Sequence, residues 1–167
     1  MKIPTKVFKF LEQQKIKYEV LEHRTVFTAH DKAATLKIPE KMVGKTLVVK
    51  LNRELVIVLI PADKNLNKIK IKQAANDYRR KIGQKLIKNV YFAKEAVIRN
   101  HLKGVKVGAI PPFGGLWKIA TYCDKALLNN TKIIINSGDY RGSLKITPSV
   151  LKKLAPDLVI GNFTASR

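Results

Sequence analysis

A single cysteine, Cys123, stands in this chain of 167 residues. That excludes an intrachain disulfide framework and any multi-cysteine zinc site. A chain of this size buries enough surface to hold a core without such staples. Long apolar runs are missing as well. The longest aliphatic run, Leu55 to Ile60, has six residues, whereas a membrane-spanning helix needs about 20. The first 15 residues set Lys2, Lys6, Lys9 and Lys15 among apolar positions and hold no signal-peptide core. A cytoplasmic protein with no membrane partner is expected. His23, His30 and His101 lie far apart, without H-E-x-x-H or Cys-His spacing, so no metal site is expected. No G-x-S-x-G elbow surrounds a serine, and no motif supplies Ser137, which precedes Gly138, with a base. No internal repeat or low-complexity linker divides the chain, so residues 1–167 read as one domain. Acidic residues are the scarcest class for a charged protein: 12 Asp+Glu stand against 33 Lys+Arg, for a net charge of +21.

That charge speaks to partners more than to fold. It is concentrated in residues 64–106, which carry 13 basic and 2 acidic side chains, or +11. One reading is a solubilising lysine-rich surface. The other is a polyanion-binding face, since lysines and arginines that displace counterions from phosphates favour nucleic acid. Between Lys64 and Asn89 there is one tyrosine and no Phe or Trp. That composition disfavours a base-stacking platform and favours tracking of the backbone, with Arg79, Arg80 and Lys81 as the candidate contacts.

The hydrophobic pattern is mixed. Val7, Phe10, Leu11 and Gln14 follow helical spacing after Pro4, and Tyr18 to Leu21 reads as a short strand. Thr28 with Asp31 three residues later starts a second helix. Thr46 to Val49, a turn at Asn52-Arg53 and Leu55 to Ile60 form a central hairpin ended by Pro61. Helices are expected over residues 65–76 and 93–102. Further strands fit Lys118 to Thr121, Lys132 to Ile135, Leu144 to Ile146 and Leu158 to Ile160, and another helix begins at Thr147-Pro148. Consecutive hairpins with helices around them predict an α/β (α+β) fold on a mixed, largely antiparallel sheet.

Two stretches invite a chemical reading. Pro39 to Thr46 nearly matches a phosphate loop, but Pro39 replaces the first glycine and lacks the N–H of a phosphate cradle. A strand pattern, Leu-Val-Val, follows Lys45-Thr46 where that motif must open a helix. Lys45 itself stands at the start of a central strand, where a solvated lysine is unexpected. An ammonium fixed there can bind phosphate or steady an oxyanion. The second stretch, Gly108 to Gly115, combines glycines with Pro111 and Pro112. It can bring main-chain N–H groups close to a carbonyl, or it is simply a rigid turn. Cys123 is expected to be a small core residue rather than a nucleophile. Asp63, Asp124 and Asp139 read as turn caps rather than as a catalytic pair.

In their order along the chain these segments resemble the YbaK/EbsC family of aminoacyl-tRNA editing domains, related to the editing domain inserted in bacterial prolyl-tRNA synthetase. The matching pieces are Tyr18-Glu19-Val20 with His23, Phe27-Thr28-Ala29 with Ala33, Val43 to Leu47 and Ile60 to Asp63. They continue with Gly108 to Pro112 with Phe113-Gly114, Asp124 with Leu127, and Asn136-Ser137-Gly138. The resemblance spans roughly residues 16–162. It implies a barrel-like antiparallel sheet surrounded by helices, and hydrolysis of a mischarged amino acid from tRNA with neither metal nor cofactor. By the same resemblance Lys45 and Gly108 are the catalytic candidates. Phe27, Thr28, Thr46, Ala109, Ile110, Pro111, Pro112 and Asn136 are the substrate-binding ones. The substrate it points to is proline tRNA carrying alanine or cysteine, edited in trans, with an aminoacyl-tRNA synthetase as a second candidate partner. Pro111, Asn136 and Lys145 depart from the family pattern, which bears on the edited amino acid more than on the reaction. The rival reading is a catalytically silent RNA-binding or regulatory module of the same fold.

Overall fold

A computed structural model describes residues 3–167; Lys2 of the amino-terminal charge pattern lies outside them. In chain order the elements are α1 (Thr5–Gln13), β1 (Glu19–Glu22), α2 (Ala29–Leu36), β2 (Gly44–Leu51), β3 (Glu54–Pro61) and β4 (Lys64–Leu66). Then come α3 (Lys68–Ile82), β5 (Val90–Phe92), α4 (Glu95–His101), β6 (Ala120–Asp124), β7 (Ile133–Asn136), β8 (Gly142–Ile146), α5 (Pro148–Leu154), β9 (Val159–Gly161) and β10 (Thr164–Ser166).

The strands form a five-stranded sheet ordered β5-β2-β3-β6-β9, a three-stranded sheet β1-β8-β7 and a two-stranded pair β10-β4. Pairing is antiparallel except where β6 runs parallel to both β3 and β9. A parallel bridge from Val43 to Ile134 joins the two larger sheets beside the start of β2. The fold is thus the expected mixed α/β arrangement, largely antiparallel. No helix among the described residues is long and apolar enough to cross a membrane.

The apolar run of β3 is explained by burial on both faces, as a central strand requires. One face packs Val56, Val58 and Ile60 with Ile71 and Ala75 of α3 and with Phe163. The other packs Ile57 with Val48, Leu102 and Ile110. The helix α3 is set by its ends: the Asn67 side chain accepts from Lys70 N at 3.0 Å, and Gly83 closes it at φ +70°.

Three sequence expectations shift. Residues 65–67 are not helical, because β4 pairs with β10 and Asn67 is the cap. The strand expected at Lys118 to Thr121 becomes β6, which starts at Ala120, since Lys118 sits in the left-handed region at φ +57° closing a helical turn over Gly114–Trp117. Cys123 therefore lies inside that strand rather than after it. The short strands β5 and β10 were unforeseen.

Candidate functional site

One cavity of about 200 Å³ opens where the start of β2 meets the start of α2, the end of β7 and the Gly108 loop. Its walls include Phe27, Thr28, Lys45, Thr46, Gly108, Ala109 and Asn136, seven of the sequence-predicted residues gathered from four separated segments. The lysine-threonine pair arrives on a strand, so the near match to a phosphate loop is not one. Ile110, Pro111 and Pro112 are not part of the wall. They are buried behind it, and Ile110 packs on Val48 and Ile57 and offers its carbonyl to Asn136 Nδ2 at 3.2 Å.

Lys45 is the second residue of β2, opposite Ile60. Its Nζ donates to the Lys64 carbonyl at 2.9 Å, which tethers the side chain across the strand ends. Burial, helped by the charge of Arg167, holds the amine below its usual pKa, while Glu40 and Asp63 push back. Glu40 binds His30 and meets Arg167 Nη2 at 3.4 Å. The hydrogen bond from His30 is the main reason its carboxyl lies below the ordinary carboxylate range. The neighbouring Thr46 Oγ1 is buried without a partner.

The opposite wall is aromatic. Phe27 meets Tyr140 edge to face, with ring centroids 4.8 Å apart. The Gly108 N–H donates to the Tyr140 hydroxyl at 3.2 Å, and a Cβ added at Gly108 would lie 3.0 Å from the ring. The Ala109 N–H is already given to the Lys106 carbonyl at 3.0 Å. The N–H groups of Gly108 and Ala109 are thus both engaged, and Tyr140 Oη is placed to offer its own proton while it accepts from Gly108. Asp139 stands beside it. Burial pushes that carboxyl up, but the backbone N–H and guanidinium of Arg141 hold it below the usual range.

Tyr140 and Lys32 are wall residues that sequence reasoning missed. Lys32 follows the cap Thr28 by one helical turn and neighbours buried Ala33, and that position on the inward face was the available signal. Other motif residues hold the frame. The Asp124 carboxylate accepts from Phe163 N at 2.8 Å and from Ala126 N at 2.9 Å, and Ser137 Oγ donates to the Gly142 carbonyl at 2.6 Å. Among the described residues no cluster of three or more His, Cys, Asp or Glu side chains is arranged to hold a metal.

The candidate backbone-tracking residues divide. Arg80 and Lys81 are exposed on the last turn of α3, whereas Arg79 is 6% exposed. Its guanidinium is spent on Glu54 Oε2 at 2.5 Å and on the Lys85 carbonyl at 2.9 Å. Arg79 is a structural arginine, and its assignment to a phosphate contact is withdrawn.

An α/β fold with a small pocket of this kind defines a class. The chain belongs to the aminoacyl-tRNA editing domain family, which it matches over residues 23–154. Membership implies aminoacyl-tRNA deacylase chemistry and a tRNA substrate. Among solved structures it is similar to hypothetical protein APE2540, with a TM-score of 0.78 and 25% identity over 96% of this chain and 99% of that one. It also shares its fold with "a putative trans-editing enzyme for prolyl tRNA synthetase", at TM-score 0.76 and 20% identity over 96% of each chain. Part of "a Putative signal transduction protein" from Marinobacter aquaeolei VT8 has the same fold: 98% of this chain and 31% of that one align, at TM-score 0.65 and 11% identity. No curated protein matches the sequence.

Proposed function

We propose that the protein is a metal-independent, trans-acting deacylase that clears a small mischarged amino acid from tRNA, with its chemistry centred on Lys45 and Gly108. The observation that carries this reading is the convergence of Lys45, Thr46, Phe27, Thr28, Gly108 and Asn136 on one cavity. An aminoacyl ester is already activated, so positioning a water and stabilising the tetrahedral oxyanion is sufficient catalysis. Water adds to the acyl carbon, the bond from that carbon to the ribose oxygen breaks, and the proton of the water ends on the ribose oxygen. The vicinal ribose hydroxyl can relay that proton, which fits a site without an acid–base pair.

Lys45 anchors the phosphate-bearing terminus, and Tyr140 Oη, polarised by the Gly108 N–H, faces the ester oxygen. A cavity of about 200 Å³ admits alanine, serine or cysteine. Size exclusion of this kind is needed because one methylene is worth only about 1–3 kcal/mol in discrimination. Alanyl and cysteinyl esters of proline tRNA are the first substrates to test, with and without a prolyl-tRNA synthetase. Purified protein should release amino acid from a panel of mischarged tRNAs and continue after chelation and desalting. Activity lost on chelation and restored by zinc defeats the metal-free reading, and silence on the whole panel favours an RNA-binding module.

A further inference from the structure

The cavity holds a second lysine that the proposed chemistry does not use. Lys32 is 5% exposed, and its Nζ donates to Asn136 Oδ1 at 2.6 Å. Asn136 is itself oriented by donating Nδ2 to the Ile110 carbonyl at 3.2 Å, so its oxygen is held toward the lysine. An ammonium carries three N–H donors, and a single neutral amide accepts one. No carboxylate among the described residues pairs with it. Burial pulls its pKa down to about 8, so the cationic form still predominates at neutral pH.

The two lysines of the wall have different surroundings. Lys45 is influenced by Glu40, Asp63 and Arg167, whereas Lys32 bonds Asn136 and its charge is felt by His23. With Lys45 on the phosphate side, Lys32 is left for the acyl side. An aliphatic acyl group there strips water from a buried ammonium and returns nothing. A group with an oxygen restores the lost bond, and leaving such a donor unpaired is the costly alternative. Thr46 Oγ1, buried without a partner on the same wall, adds a second polar group awaiting one.

We infer that Lys32, aimed by Asn136, is a specificity-determining residue that hydrogen-bonds an oxygen on the amino-acid side chain. The site therefore favours a small hydroxyl- or carboxylate-bearing aminoacyl group over an aliphatic one. This rests on the deacylase reading and narrows its substrate class.

The test uses acceptor-stem minihelices ending in amide-linked, non-hydrolysable seryl, aspartyl or alanyl adenosine, with Kd measured for wild type, Lys32→Met and Lys32→Ala. Wild type should bind the seryl or the aspartyl probe about tenfold or more tighter than the alanyl one. Which of the two wins tells a neutral acceptor from a charged one. Both variants should bring the ratio to near unity with alanyl binding little changed. Equal wild-type affinities, or a preference that both variants keep, overturns the inference. Lys32→Met matches the volume and removes a buried charge, so its Tm should hold or rise, and the wild-type ratio stands as a test without any variant. The matching esters are assayed in parallel. Selective binding without hydrolysis removes the deacylase reading and leaves the pocket assignment standing, and hydrolysis without preference does the reverse.

Discussion

A lysine on a central strand must be held by something, and Lys45 is held by the Lys64 carbonyl at the mouth of the cavity. Lys45→Ala should cost about 10²-fold in kcat/KM, the scale of losing one charge-assisted contact to the phosphate-bearing terminus, without lowering Tm. Lys45→Arg should also be impaired, because a planar fork cannot take the place of a compact ammonium there. Cys123→Ser is the control. Burial, with Asp124 adding to it, pushes the thiol up to about 12, so no thiolate exists at neutral pH and the serine variant should keep the wild-type rate. A dead serine variant beside active lysine variants would relocate the chemistry. Lys32 has a signature in stability instead. Its folded pKa of about 8 lies below the value of 10.5 for an ordinary lysine. Between those values the unfolded chain binds a proton that the folded chain has released, so stability rises with pH across that window. Below it the buried charge costs up to about 3 kcal/mol. Lys32→Met should therefore be more stable than wild type at pH 7, and urea unfolding should show the gap closing by about pH 10.5. A gap that stays constant from pH 7 to 10.5 rules out a buried, charged lysine.

At the level of elements, two glycines of one loop do different work. A Cβ at Gly114 would lie 2.3 Å from the Ile119 carbonyl oxygen and 2.5 Å from Thr121 Oγ1, which is bonded to the glycine N–H. Gly114→Ala should destabilise by about 1–3 kcal/mol, as overpacking does. Gly108 is exposed, and the atoms nearest to an added Cβ belong to the Tyr140 side chain. Gly108→Ala should leave the melting curve nearly unchanged and lower kcat/KM, and equal effects on both measures for both glycines would contradict this division. The same loop shows what a sequence can and cannot disclose. Its glycines and prolines marked it plainly, and hairpin β2–β3 was legible from its two apolar runs and the Asn52-Arg53 turn. The strand β4 was not, because its pairing partner β10 lies about a hundred residues away and only that pairing overrides the helical pattern at Asn65 and Leu66. Lys32 and Tyr140 were harder to read for a related reason. A lysine in a helix reads as solvated until α2 is laid against Asn136, and Tyr140 gains its role only from the Gly108 N–H. The pocket residues named from the ordered motifs fall on the wall where each is the first to meet the cavity. Those one to three positions past Ala109, Ile110 to Pro112, are buried.

For the molecule as a whole, the +11 carried by residues 64–106 must be parted into charge that builds the fold and charge left for a partner. Arg79 belongs to the first kind. Arg79→Ala should destabilise by about 1–3 kcal/mol, since it leaves the Lys85 carbonyl and Glu54 without their partner. Arg80 and Lys81 are of the second kind: Arg80 touches only Asp77, at 3.2 Å with both side chains largely exposed, a pair of little strength. If this end of α3 tracks the tRNA backbone, affinity should fall steeply with salt, with a slope of about −0.9 per phosphate on a duplex. The double substitution Arg80→Ala with Lys81→Ala should flatten that slope by up to about two contacts and raise the apparent KM. Single-turnover hydrolysis at saturating tRNA should stay near wild type, because neither residue lies on the wall of the cavity. Phosphate contacts carry no base information, so the loss should be alike for every tRNA tested. The measurement is a salt titration of binding for wild type and the double variant, with melting curves to show that the double variant keeps its fold. Parallel slopes and equal affinities would place the tRNA on another face and return this end of α3 to solvent.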